Sequence, residues 1–169
     1  MKFLCQFFLL FSLAFTNTSF GNEVAQGPFT IPSSKQIVTI HKVPLSINGD
    51  EYPYLTLEIN DGNINHIVDK YQHDGSEPEV KSVFFMEQEA STSIYTIVSW
   101  LNIHKAKNIN ATYYRIYSYK VTADGRYKPD SKINNDLNLR GYDGTVNGKT
   151  MSFKYKNASA VKKYIKNKH

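Results

Sequence analysis

Six of the nine glycines directly follow an asparagine or an aspartate, at Asn48-Gly49, Asp61-Gly62, Asp74-Gly75, Asp124-Gly125, Asp143-Gly144 and Asn147-Gly148. Asn and Asp tolerate the left-handed backbone and Gly adopts it without steric cost, so these pairs suit the central positions of tight hairpin turns. A chain punctuated in this way has little room for long helices and folds most readily by doubling back on itself. The segments between the pairs are rich in β-branched and aromatic residues: Gln36 to Val43, Tyr52 to Asn60, Ile64 to Tyr71, Val80 to Gln88, Ile94 to Ile103, Thr112 to Thr122 and Thr150 to Tyr155. The expected fold class is therefore mainly β, α+β at the margin. An antiparallel meander of about seven or eight strands would form a sheet, small barrel or sandwich.

Local patterns refine this. Leu55, Leu57 and Ile59 alternate with Thr56 and Glu58, and Asp61-Gly62-Asn63 then turns the chain into Ile64 to Tyr71, which predicts a hairpin. In Ile94 to Ile103 both faces are apolar, as in a central strand covered on each side, although Ile94, Ile97, Val98 and Leu101 also fit a helical template. From Asn157 to Asn167 the period changes. Asn157 can cap a helix, Ala158, Val161, Tyr164 and Ile165 fall on one stripe, and Lys162, Lys163 and Lys166 fall opposite, so one C-terminal amphipathic helix is expected. Residues 22–34, with Pro28 and Pro32, and residues 73–79, with Pro78, read as loops; Gly141 to Gly148 reads as tight turns.

The N-terminus carries Lys2 and then an uncharged, largely apolar run from Phe3 to Phe15, too short to span a bilayer as a helix. Ser19 and Gly21 follow at positions that suit signal peptidase, so residues 1–21 are expected to be a secretory signal peptide cleaved after Gly21, with residues 22–169 a single β-rich domain. Cys5 sits near the start of the apolar run, whereas a lipid-anchor cysteine would follow it. The expected mature chain then has no cysteine and no membrane span, and its stability rests on core burial. The expected location is the periplasm, or outside the cell.

Charge is unevenly distributed. Residues 22–89 hold 4 lysines and 11 acids, residues 90–143 hold 8 Lys or Arg and 4 acids, and residues 144–169 hold 7 lysines and no acid. Either the basic part meets an acidic partner, or the two parts pack together and neutralise one another. Export argues against nucleic acid as the partner.

No specific catalytic fingerprint is found: G-x-S-x-G and H-E-x-x-H do not occur in the sequence. Of the five histidines, only His66 and His73, with Asp74, form a local group, and neither H-x-H nor H-x-x-x-H spacing occurs, so no metal or other cofactor is expected. Asp61-Gly62-Asn63-Ile64-Asn65 begins like a calcium loop, but His66 stands where glycine is needed and Gln72 where a bidentate glutamate belongs. A hairpin turn accounts for it.

The strongest signal for binding is aromatic. In Tyr113-Tyr114-Arg115-Ile116-Tyr117-Ser118-Tyr119, period two puts Tyr113, Arg115, Tyr117 and Tyr119 on one face. Arginine among tyrosines is the composition of interface hot spots, because rigid amphipathic rings lose little entropy on contact; tyrosine is also simply a good strand former. The expectation is an exported binding protein without enzymatic activity, of the inhibitor or immunity type, which covers a toxin or envelope enzyme with these four residues. A cell-wall glycan module and a structural or assembly accessory of the envelope are the alternatives.

Overall fold

The structure, a computed structural model, describes residues 22–88 and 91–168. The expected signal peptide with Cys5 and its cleavage site, Glu89 and the terminal His169 lie outside the described residues. In chain order the strands are β1 (Glu23–Thr30), β2 (Ile37–Val43), β3 (Ser46–Ile47), β4 (Asp50–Glu51), β5 (Tyr54–Asn60), β6 (Asn65–Tyr71), β7 (Pro78–Gln88), β8 (Ser91–His104), β9 (Ile109–Val121), β10 (Tyr127–Pro129), β11 (Arg140–Val146) and β12 (Lys149–Met151). A single helical turn, α1 (Ser131–Asn134), precedes β11, and helix α2 (Ala158–Lys168) follows β12.

The strands form a four-stranded sheet in the order β1-β2-β5-β6 and a six-stranded sheet in the order β12-β11-β9-β8-β7, with β10 on the remaining stretch of β9; β3 and β4 make a small separate ribbon. The pairings are antiparallel. Both sheets keep free edges, so the fold is a sandwich and not a closed barrel.

Strand β8 explains the layering. Ile94, Val98 and Trp100 face the four-stranded sheet and pack with Val38, Ile40, Leu57 and Tyr71, whereas Tyr95 and Ile97 face the other way and pack with Ile116, Val161 and Ile165. A strand apolar on both faces thus becomes the middle of three layers: sheet, sheet and helix. The helical alternative for Ile94 to Ile103 is excluded.

Helix α2 begins as its sequence implies, with the Asn157 side-chain oxygen accepting from the Ala160 backbone N–H at 2.9 Å. Val161 and Ile165 are fully buried against the six-stranded sheet, each contributing about 1.5–3 kcal/mol. At its far end Tyr164 and Lys168 both donate to Asp136 Oδ2 at 2.7 Å. Burial alone would raise the Asp136 carboxyl, but the donations from Lys168, Tyr164 and Asn138 outweigh it and hold the group at about 2.

Three expectations are corrected. Residues 23–30 are a strand and not a loop, because β1 is an edge strand whose register shifts between Gln26 and Phe29, and Pro28 sits within that irregularity, where no ladder bond is lost. Gly141 to Val146 is not a turn but most of β11. Gly144 lies there at φ +125°, where a Cβ would come within 2.5 Å of the Asn110 carbonyl oxygen, so this glycine permits close strand contact and does not reverse the chain. The reversal is made by Asn147-Gly148, both at positive φ. Finally, the strand expected from Thr150 to Tyr155 stops at Met151; Phe153 instead covers Gly141 and joins the core beneath α2.

Candidate functional site

The four residues singled out on β9 do share one face, the face turned toward the four-stranded sheet, but that sheet does not cover them equally. Where the two sheets overlap closely, β5 lies beside β7 and β6 beside β10; no approach of that kind links β11 to the four-stranded sheet. One end of the tyrosine row is therefore roofed over and the other is open.

Tyr119 is at the roofed end and is 0% exposed. Its hydroxyl donates to Asp69 Oδ2 at 2.9 Å and lies 2.8 Å from the Tyr71 hydroxyl, which in turn lies 2.9 Å from Thr96 Oγ1. Since Tyr119 spends its proton on Asp69, the chain runs one way: Thr96 donates to Tyr71, Tyr71 to Tyr119, and Tyr119 to Asp69. Burial pushes both phenols well above their ordinary range, so they stay protonated donors. Tyr119 is thus part of the core, and the surface role expected of it does not survive.

Tyr117 is half-buried. Its ring rests 5.1 Å from that of Tyr71 and carries the Arg115 guanidinium 4.8 Å above it. Burial raises its hydroxyl to about 12, against the opposing pull of Arg115. Tyr113 follows toward the open end, 6.2 Å from Trp100 and 4.9 Å from Tyr142, which is 37% exposed.

Two residues that the sequence reading missed complete the face, Arg140 and Tyr142. Register does it: Arg140 stands directly opposite Arg115, and Tyr142 directly opposite Tyr113, and directly opposed residues in an antiparallel pair project to the same side. The local cue was the Arg140-x-Tyr142 alternation, hidden by the glycines around it.

The electrostatics of this face are unusual. Among the described residues neither Arg115 nor Arg140 has an acidic partner within ion-pair distance. Arg115 Nη2 donates to the Asn134 carbonyl at a long 3.4 Å, and its Nε is buried without a hydrogen bond. Two like charges directly opposite one another destabilise a sheet, and an unmet buried donor adds to the cost. Nor do the halves of the chain neutralise each other through contacts. The ion pairs Lys42–Glu77 and Lys81–Glu79 lie within the acidic half and Lys120–Asp130, Lys156–Asp143 and Lys168–Asp136 within the basic one; none of those described bridges the two.

The histidines lead elsewhere. His66 Nε2 lies 3.3 Å from Asp61 Oδ2 beside the β5–β6 turn, and His73 packs edge-on against Tyr52. Among the described residues no three His, Cys, Asp or Glu side chains come together as a metal site requires. The calcium-like stretch is a turn in which Asp61 Oδ1 accepts from the backbone N–H groups of Ile64 and Asn63, which holds its carboxyl below the ordinary range. A shallow cleft of about 600 Å³ beside it, lined by Ile64, Ile67, Asp124 and Arg126, is open to solvent.

Comparison with protein families, with curated proteins and with solved structures returned no match for this chain.

Proposed function

We propose that this chain is an exported binding protein of the inhibitor or immunity type, which acts by covering a toxin or envelope enzyme through the open end of the β9–β11 face. Export rests on the leader-like residues 1–21. The observation that carries the reading is the exposed Tyr142 ring in contact with Tyr113, beside two arginines that no acid among the described residues pairs with. Tyrosine and arginine clustered in this way supply large contact area and directional hydrogen bonds at low entropic cost. The reading assigns no catalytic role to any residue. It also favours a protein over a cell-wall glycan, because sugar rings stack on flat aromatic platforms and Tyr113 and Tyr142 meet at 49°.

The test is capture from envelope extract of the producing organism at low and moderately high salt, followed by affinity measurement on the captured protein. One stoichiometric protein that survives salt, and whose affinity falls by about 2 kcal/mol or more when Tyr113 and Tyr142 are both changed to alanine, is the expected result. Retention on purified peptidoglycan with no protein bound would replace it with the glycan reading.

A further inference from the structure

We infer that Arg115 and Arg140 form a two-pronged clamp for a carboxylate, and that the partner presents an aspartate or glutamate side chain to it. This rests on the recognition face proposed above and names what that face reads.

Arg115 and Arg140 are a directly opposed cross-strand pair, so both side chains rise from neighbouring points on the same side of the sheet. Arg115 is held over the Tyr117 ring, which restricts its flat guanidinium before any ligand arrives. It carries five N–H donors, of which one makes a single long contact to Asn134 and the buried Nε makes none. Asp69 accepts from Tyr119 and from the Lys70 backbone N–H and makes no ion pair with Arg115. The pair therefore has a surplus of directed donors and positive charge and, among the described residues, no acidic partner. A carboxylate entering between the two would take parallel N–H donations and remove the like-charge repulsion in one step, which is the geometry guanidinium groups serve best. The tyrosines beside the clamp supply apolar walls that exclude water from the resulting ion pair. An acidic protein loop fits this arrangement, and the uncompensated basic half of the chain draws such a loop toward it.

The probe is hexaglutamate peptide, titrated into the nitrogen-15-labelled exported protein while the arginine Nε–Hε resonances are followed, with hexaglutamine peptide and inorganic phosphate in parallel. Saturable shifts of the Arg115 and Arg140 signals with hexaglutamate alone are expected. Arg140→Gln should lower the affinity tenfold or more, and Arg140→Lys, which keeps the charge but loses the fork, should recover only part of it. The amide spectrum of each variant reports whether it is folded, and Lys162→Gln with Lys166→Gln on α2 should change the affinity less than twofold. Binding that follows the α2 lysines, phosphate binding as tight as hexaglutamate, or no saturable shift overturns the clamp. If a captured protein partner loses affinity on Tyr142→Ala but not on Arg140→Gln, the clamp falls while the recognition face stands. If hexaglutamate binds at the arginines but no protein partner exists, the clamp stands and the inhibitor reading falls.

Discussion

Tyr119 and Tyr113 lie on the same strand and the same face, six residues apart, yet they belong to different parts of the molecule's chemistry. Tyr119 is sealed beneath β6, with its hydroxyl fixed between Tyr71 and Asp69. Tyr113 lies at the margin of the core between the two sheets, half-buried, its ring against Trp100 and the exposed Tyr142, and its hydroxyl makes no hydrogen bond among the described residues. What separates a structural tyrosine from one available for recognition is the layer across from it, not its own strand. Both ends use the same residue type for the same reason, a rigid ring with one polar atom. At the closed end that atom is satisfied from within; at the open end it is left to solvent or, on the proposed reading, to a partner.

The contrast can be pressed from its strongest side first. Tyr71→Ala empties the closed end and should destabilise by about 3–5 kcal/mol, read by denaturant unfolding. Tyr119→Phe removes only one oxygen but leaves Tyr71 without its acceptor and Asp69 without its donor, which should cost about 1–3 kcal/mol. A Tyr119→Phe protein as stable as the parent would break the comparison, because the closed network would then carry no weight.

A third test asks whether the contrast depends on the helix layer. The Asp136 carboxyl is moved from 3.8 to about 2 in the folded state, so its contribution is complete above pH 4 and is lost as pH falls toward 2. Asp136→Asn should remove about 1 kcal/mol at neutral pH and flatten the melting temperature across that acid window. The Tyr71–Tyr119 end should keep its protection from hydrogen exchange while α2 loosens.

The smallest effects belong to the open end. Arg140→Gln relieves the opposed charges and should stabilise by about 0.2–1 kcal/mol, measured by the same unfolding. Tyr142→Ala should lie within about 0.5 kcal/mol of the parent. A loss of several kcal/mol at either position would make them structural and erase the distinction.

Much of the fold was legible because its signals are local. Alternation in Leu55 to Ile59 marked a half-buried strand, the apolar faces of Ile94 to Ile103 marked a central one, and the Asn157 cap with its apolar stripe marked α2. The misreadings occur where one residue type serves two purposes. Pro28 looks like a loop residue but occupies an irregularity in an edge strand, and Asp143-Gly144 looks like a turn but lets β11 press against Ala111. For the site, period two placed Tyr113, Arg115, Tyr117 and Tyr119 on one face, which a strand guarantees. Which of them is covered depends on β6, and that Arg140 and Tyr142 join them depends on the β9–β11 register. Both are long-range facts that no stretch of β9 contains.

Hydroxyl-radical labelling of residues 22–169, free in buffer and then within envelope extract of the producing organism, puts the proposed recognition face to the most direct test. Protection should appear at Tyr142 and Tyr113, while Tyr54 and Tyr155 label equally in both conditions. Unchanged labelling of Tyr142 together with protection at Tyr54, on the far face of the four-stranded sheet, or at Tyr155, beside α2, would contradict recognition through the open end of β9 and β11.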